Sequence, residues 1–203
     1  MTVRMLLFAG TAAALCLARY SRAQTSSSSV EARRQAAYVA HQGDFDYLLG
    51  DWEFTATSKQ YGKFQGRWSA VRLETGQILD EYCVLGDDNK ATYATSTIRS
   101  YNSAADRWEL IGMDRGSGLL DFATAQLVGH EMHLEQKFSV AGGNPVVMRI
   151  RYYNIQPDRF SWTAARSSDG EKTWTPDFQR IEARRVGPAR SLGALTPLQA
   201  DKR

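Results

Sequence analysis

Several features that define common protein classes are scarce or missing in this sequence of 203 residues. Beyond roughly the first twenty residues no run of about 18 or more apolar residues occurs, so no later transmembrane helix is expected. There is no Gly-x-Ser-x-Gly elbow, no glycine-rich phosphate loop and no dinucleotide-binding fingerprint. The remaining composition, 43% hydrophobic and 11% aromatic, is that of an ordinary globular domain and excludes collagen, coiled coil and wholesale disorder.

The first 23 residues have the order of charge and hydrophobicity that is typical of a secretory signal peptide. Arg4 precedes the apolar run at residues 6–18, and Ser21 and Ala23 are small residues where a signal peptidase cleaves. We therefore expect residues 1–23 to be removed and the mature protein to be periplasmic or secreted.

Removal of residues 1–23 changes both the net charge and the number of thiols. Three arginines and no acid leave, so the formal charge of +3 becomes a balance of 22 basic and 22 acidic side chains. This balance offers no electrostatic case for nucleic acid or an anionic membrane, and we expect neither nucleic-acid binding nor stable membrane insertion after cleavage. Only Cys83 remains of the two cysteines, so an intrachain disulfide is impossible, and we interpret Cys83 as a small buried apolar residue.

The mature chain divides into three segments. Residues 24–43 form a flexible leader with a short helix over 30–42, residues 44–185 form the main domain, and residues 186–203 form a C-terminal tail. At the start of the main domain, residues 44–50 predict a single helical turn for which Asp44 is the N-cap.

From Trp52 onward the hydrophobic pattern has a period of two residues. The pattern predicts ten strands, at 52–59, 62–74, 77–85, 91–102, 106–114, 119–128, 130–139, 145–156, 159–167 and 172–185. Turn residues separate them and no helical pattern intervenes. Because closure removes exposed sheet edges, we predict an all-β fold, an antiparallel up-and-down barrel of about 8–10 strands.

Each strand is expected to have one apolar side and one solvated side, and the apolar sides are rich in aromatic residues. A barrel of this size is either filled by such side chains or leaves room for one small ligand, and both alternatives are open. If it is hollow, we expect these side chains to contact the ligand: Phe54, Trp68, Tyr82, Trp108, Phe138, Tyr152 and Trp162.

Few residues suggest catalytic chemistry. His130 and His133 would point to opposite sides of a strand, so we expect no metal site, and nothing in the sequence calls for a cofactor. Polar residues at inward positions are a buried pair, a site group or, as we predict, rim residues; they are Arg72, Asp80, Asp114 and Arg166. For an enzyme, the acid and base candidates are Asp114, His130 and Arg166, with Tyr82 as a proton donor.

Three stretches resemble a bacterial lipocalin-like family, domain of unknown function 1579. The stretch 45–52 (FDYLLGDW) resembles the F-x-x-L-x-G-x-W opening of that family, and the hairpin 101–108 and the closing run 160–184 are similar to its middle and end. The resemblance spans residues 44–185. It implies a lipocalin-like or calycin-like barrel, and the family has no agreed activity to carry over.

Three classes of function follow. The first is an exported barrel that binds a small hydrophobic or aromatic molecule in its interior. The second is a cofactor-independent enzyme, a lyase, isomerase or hydratase, acting in the same cavity. The third is a structural or interaction protein with a filled barrel. The fold cannot decide between them.

Overall fold

The computed structural model describes residues 28–138 and 146–192. Residues 28–41 form an α-helix, α1, which confirms the short helix predicted over 30–42. Within the described ranges no helix combines the length and the hydrophobicity needed to cross a bilayer. The predicted signal peptide lies outside the described residues, as does the tail from residue 193 onward.

Ten antiparallel strands form a closed barrel. They are β1 (Gly50–Ser58), β2 (Gly62–Arg72), β3 (Ile78–Leu85), β4 (Ala91–Asn102), β5 (Arg107–Asp114), β6 (Gly118–Val128), β7 (Glu131–Phe138), β8 (Val146–Gln156), β9 (Arg159–Ser167) and β10 (Thr175–Gly187). Each strand pairs with the next in sequence, and β1 also pairs with β10, which closes the ring. The predicted all-β up-and-down barrel is confirmed, and each predicted strand overlaps one observed strand.

The sheet extends beyond residue 185, where we expected the main domain to end. Strand β10 continues to Gly187, and the two-residue strand β11 (Arg190–Ser191) pairs in parallel with β2. The first residues of the predicted tail are therefore part of the sheet.

The segment before β1 covers one end of the barrel, which we call the closed end. A 3-10 helix, Asp46–Leu48, confirms the predicted helical turn, and Phe45 and Leu48 are fully buried. The prediction that Asp44 is the N-cap is wrong, because the turn starts later and Phe45 holds that position without a side-chain cap. The Asp44 carboxylate instead contacts His41 Nδ1 at 3.0 Å and accepts a hydrogen bond from Trp108 Nε1 at 3.3 Å.

Hydrogen bonds hold this covering segment in place. The Trp52 indole donates to the Leu48 carbonyl at 2.8 Å, and the Arg185 guanidinium donates to the carbonyls of Tyr47 and Leu49. The same guanidinium lies 4.1 Å from the centre of the Trp52 ring, a cation–π distance. Backbone carbonyls that precede the first strand are thus satisfied without water.

Apolar side chains also occupy part of the outer face of the barrel. On the outer face of β3 to β6, four apolar side chains lie in register and are 39–44% exposed: Leu79, Ile98, Ile111 and Phe122. The buried neighbour of Ile98 along β4 is Arg99, which faces inward. The expectation that every strand has an apolar inner side is therefore wrong for β4.

Cys83 is not a buried core residue. Tyr82 faces the interior, so the next residue on the strand points outward, where Cys83 lies half-buried opposite Arg67 and Ala94. Partial burial, together with the nearby Glu81 carboxylate, raises the pKa of the thiol to about 11. A thiol with this pKa is a poor nucleophile at neutral pH.

Candidate functional site: an interior cavity with a buried ion pair

A cavity of about 670 Å³ lies inside the barrel. One of its lining residues, Tyr61, is 68% exposed in the turn between β1 and β2. The cavity therefore reaches solvent at the end of the barrel opposite the covering segment, which we call the open end. Native interiors have few voids larger than a water molecule, whereas ligand pockets typically occupy about 300–1,000 Å³. The barrel is therefore hollow toward its open end.

A buried ion pair lies in the cavity wall toward the closed end. Asp80 Oδ1 accepts from Arg99 Nε at 2.7 Å and Asp80 Oδ2 from Arg99 Nη2 at 3.0 Å, and both side chains are at most 3% exposed. The Trp68 indole also donates to Asp80 Oδ2, at 2.7 Å. Burial works to lower the pKa of Arg99, but the attraction of Asp80, its hydrogen bonds and the nearby Tyr152 and Tyr47 together outweigh burial, so the net shift is upward. The guanidinium therefore stays charged, and the pair as a whole is neutral.

The floor beneath this pair is aromatic. The centre of the Phe45 ring lies 4.8 Å from the Arg99 guanidinium carbon. The rings of Phe45 and Trp108 meet edge to face, with their centres 5.1 Å apart. Tyr47 lies beside it, with its ring centre 5.9 Å from that of Tyr152. Burial raises the pKa of both tyrosines, that of Tyr152 to about 12, so both hydroxyls remain protonated at neutral pH.

A second buried carboxyl group, that of Asp121 on β6, also lines the cavity. Asp121 is 4% exposed, and its neighbour in register on β5 is Gly112. A Cβ atom at Gly112 would lie 2.3 Å from Asp121 Oδ2, so the glycine leaves the space that the carboxyl group occupies. Burial raises the pKa of Asp121, while Gln136 and Arg99 act in the opposite direction.

Apolar and aromatic residues line the cavity in both halves of the barrel, but the charged groups are confined to one half. Among the described residues, the charged lining residues come from β3 to β7, where neighbouring strands also contribute amide and hydroxyl groups: Asp80, Thr95, Thr97, Arg99, Asp121 and Gln136. We call this set the polar wall. From β2, β8, β9 and β10 come mainly apolar and aromatic groups, the aromatic wall: Trp68, Met148, Ile150, Tyr152, Trp162 and Ile181.

Five of the seven predicted ligand-contacting aromatics line the cavity: Trp68, Tyr82, Phe138, Tyr152 and Trp162. The other two are buried outside it. Phe54 stacks on Tyr82 with ring centres 4.9 Å apart, and Trp108 packs at the closed end. The sequence alternatives of a filled and a hollow barrel are therefore both realised, the first at the closed end and the second toward the open end.

The four predicted catalytic residues are not brought together. Tyr82 lines the cavity, but burial raises its pKa well above the usual value. Asp114 is the last residue of β5, where it accepts backbone hydrogen bonds from Ser117 and Gly116 of the following turn that lower its pKa.

The other two predicted catalytic residues, Arg166 and His130, lie at opposite ends of the barrel. Arg166 lies toward the open end, with its guanidinium 4.9 Å from the centre of the Phe178 ring. His130 is exposed in the β6–β7 turn, at the closed end.

Of the four polar residues predicted at inward positions, Asp80 belongs to a buried ion pair and is not the predicted rim residue. Arg72 lies at the closed end and donates to the Gly76 carbonyl at 3.1 Å.

Three residues of this site are not among the predicted site residues: Arg99, Asp121 and Tyr47. Asp80 is one of the polar residues that the sequence predicts at an inward position. Pairing the predicted strands in hairpin register would have placed Thr97 opposite Asp80 and would have directed Arg99 inward as well.

The described part of the chain suggests no metal site. In residues 28–138 and 146–192 no group of three or more histidine, cysteine, aspartate or glutamate side chains is arranged to hold a metal ion.

No family model matches the chain, and no curated protein matches its sequence. The resemblance to domain of unknown function 1579 stays a prediction.

Proposed function

We propose that this protein binds a small, largely apolar or aromatic molecule inside its barrel. The observation that carries the proposal is the cavity of about 670 Å³, which reaches solvent at one end and is lined by Trp68, Tyr152 and Trp162. Its volume lies in the range of small-molecule sites, and such sites are typically apolar with a few placed polar groups. The closed end is packed, so a ligand enters between the hairpins of the open end.

A steric variant tests this proposal. Thr97 faces the cavity from the middle of β4, and its neighbour Ser96 is exposed on the outer face. The fluorescent probe N-phenyl-1-naphthylamine should bind the unmodified protein saturably, at one molecule per barrel. The substitution Thr97→Phe should weaken this binding at least about tenfold, because the ring occupies the cavity, while Ser96→Phe should leave it unchanged.

Two results would count against the proposal. Absence of saturable probe binding by the unmodified, folded protein would refute it. Equal affinities for the unmodified protein and Thr97→Phe, with Thr97→Phe shown by circular dichroism to be folded, would mean that the probe binds outside the barrel.

A second candidate function is cofactor-independent proton transfer in the same cavity, as in a lyase, isomerase or hydratase. The observation that favours it is the Asp121 carboxyl group, which lines the cavity and has a pKa raised by burial, as general bases and acids often do. Exchange of the methyl protons of 2-acetylnaphthalene in D₂O, followed by NMR, tests it. Exchange that the protein accelerates and Asp121→Asn abolishes would support an enzyme; binding without exchange would favour a carrier.

We also propose that the protein acts outside the cytoplasm. Support comes from the charged start, the apolar run and the small residues at positions 21 and 23. When the full chain is expressed in a Gram-negative host, the protein recovered from the periplasm should begin at Gln24. Recovery only from the cytoplasm with Met1 intact would contradict export.

A further inference from the structure

The carboxyl group of Asp121 faces the interior of the barrel. Its neighbour in register, Gly112, is two residues from Leu110, which lines the cavity, so a Cβ at position 112 would point inward. Such a Cβ would lie 2.3 Å from Asp121 Oδ2 and 2.8 Å from Oδ1. Both oxygens therefore lie in front of the β5 backbone on its cavity side, and Asp121 is itself part of the lining.

No base of the described lining is free to pair with this carboxyl group. Arg99 is the one basic residue that lines the cavity among the described residues, and it engages Asp80 through Nε and Nη2. The hydrogen-bond partner of Asp121 is the uncharged side chain of Gln136. The segment 139–145, which follows β7 directly, contains no lysine, arginine or histidine. Asp121 is thus a buried acid for which neither the described lining nor this segment supplies a counter-charge.

The charges of the described lining are therefore unequal. Asp80 and Arg99 cancel each other, and the carboxyl group of Asp121 remains. Burial, together with repulsion from Asp80, raises the pKa of Asp121 although Gln136 and Arg99 act in the opposite direction. The charged form is thus incompletely compensated, and a buried charge is stable only when it is paired. A cation that enters the cavity supplies that partner, whereas an anion is repelled and an uncharged molecule leaves the carboxylate unpaired.

The groups next to Asp121 suit an ammonium group that is attached to an aromatic or apolar body. An ammonium group has three N–H donors, and the hydroxyl of Thr97, which is in register with Gly112 and lines the cavity, offers an acceptor besides the carboxylate. Phe138, the neighbour of Asp121 on β7, also lines the cavity. Aromatic rings attract cations to their faces and pack against flat apolar groups.

We propose that the ligand is an amphipathic amine whose ammonium group pairs with Asp121. This inference rests on the ligand-binding function proposed above. The ammonium group donates to the carboxylate and to the Thr97 hydroxyl, and the aromatic or apolar body fills the remainder of the cavity. Asp121 then selects the charge of the ligand, while the neutral Asp80–Arg99 pair takes no part in this selection.

Four probes with the same naphthalene body separate the effect of charge from that of hydrogen bonding. They are 2-naphthylmethylamine with a cation, 2-naphthylmethanol with an uncharged donor, 2-ethylnaphthalene without a polar group, and 2-naphthoate with an anion. Competition against N-phenyl-1-naphthylamine at pH 7 gives their affinities. We expect the amine to bind about tenfold more tightly than the alcohol and 2-ethylnaphthalene, and 2-naphthoate to bind most weakly.

A single variant assigns the preference to Asp121. Asp121→Asn keeps the size of the side chain and a hydrogen-bonding group for Gln136 but removes the charge. The preference for the amine over the alcohol should fall to about twofold or less, while the affinity for 2-ethylnaphthalene stays within about twofold. The matched control is Glu109→Gln, which removes a carboxylate from the outer face of β5, where Glu109 pairs with Arg107, and should leave the preference unchanged.

The outcomes distinguish this inference from the function on which it rests. If neither N-phenyl-1-naphthylamine nor any of the four probes binds, the proposed function itself fails. If the probes bind but the alcohol or 2-ethylnaphthalene matches the amine, the barrel binds ligands and the selection of an ammonium group is wrong. An amine preference that survives in folded Asp121→Asn would also overturn the inference, because the cation then binds elsewhere. Should Asp121→Asn not fold, the ranking of the four probes on the unmodified protein still decides.

Discussion

The Asp80–Arg99 pair should be one of the points at which a single substitution destabilises this barrel most. The substitution Arg99→Leu removes the guanidinium that lies 2.7 and 3.0 Å from the two oxygens of Asp80 and leaves that carboxylate with the Trp68 indole. Breaking a buried pair in this way costs about 3–5 kcal/mol. At roughly 2–4 °C per kcal/mol for a chain of this length, the melting temperature should fall by about 6–20 °C.

Urea unfolding, followed by tryptophan fluorescence and circular dichroism, measures this loss as a change in the free energy of unfolding. The matched control is Arg151→Leu, which removes the half-exposed partner of Glu131 on the outer face. Exposed pairs contribute little, so this variant should lose less than about 1 kcal/mol. The double variant Asp80→Asn/Arg99→Gln should recover at least half of the loss, because no charge remains unpaired in the interior.

The comparison of these variants can refute the reasoning. If Arg99→Leu loses no more free energy of unfolding than Arg151→Leu, then the interior is wet enough to solvate Asp80, and the pair is not the buried element described above. If the double variant is as unstable as Arg99→Leu, the loss comes from packing rather than from an uncompensated charge.

Three further predictions concern the backbone, a turn and the thiol. Gly66→Ala places a Cβ 2.1 Å from the Cys83 carbonyl oxygen and should lower stability by about 1–3 kcal/mol in urea unfolding, whereas Gly116→Ala, whose nearest contact is 3.7 Å, should be neutral. The hydroxyl and backbone N–H of Thr173 hold the pKa of Asp169 at about 2, so its stabilising effect is complete above about pH 4 and is lost as the pH falls toward 2; Asp169→Asn should flatten the pH dependence of the melting temperature there. Because burial raises the pKa of Cys83 to about 11, a disulfide reagent at pH 8 should modify the folded protein at least about tenfold more slowly than the unfolded one, and equal rates would contradict the described environment.

The strands were predictable because both turns and alternation mark them. Glycine and asparagine separate stretches with a period of two, and the ten predicted strands overlap the ten observed ones. Closure of the barrel follows from the number of strands and from the lack of any helical pattern between them. The details of the covering segment were not predictable, because the position of Asp44 depends on its contact with Trp108 on β5 as well as on the nearby His41.

The polar wall was harder to predict, because hydrophobicity alone assigns the wrong side to part of β4. Ile98 is apolar and lies outside, whereas Arg99 is charged and lies inside, where Asp80 compensates it. An inward charge is tolerated only in the presence of its partner, and that partner is on another strand. Period-two alternation within a single strand carries no information about such a pair.

The separation of the predicted catalytic residues, by contrast, follows from topology. In an up-and-down barrel successive hairpins alternate between the two ends, so the β5–β6 turn with Asp114 and the β6–β7 turn with His130 lie at opposite ends. The predicted strand order already contained this information. These side chains are predicted as catalytic candidates only because of their residue types, which say nothing about their positions in the barrel.

The indole N–H signals of the five tryptophans provide the most direct test of ligand binding inside the barrel. Trp68 and Trp162 line the cavity, whereas Trp52 and Trp108 pack at the closed end and Trp174 lies against Arg149 on the outer face. In a ¹H–¹⁵N NMR titration with 2-acetylnaphthalene, the signals of Trp68 and Trp162 should shift and saturate together, and the other three should stay in place. Shifts confined to Trp174, or no shift at saturating probe, would contradict a ligand site in the cavity.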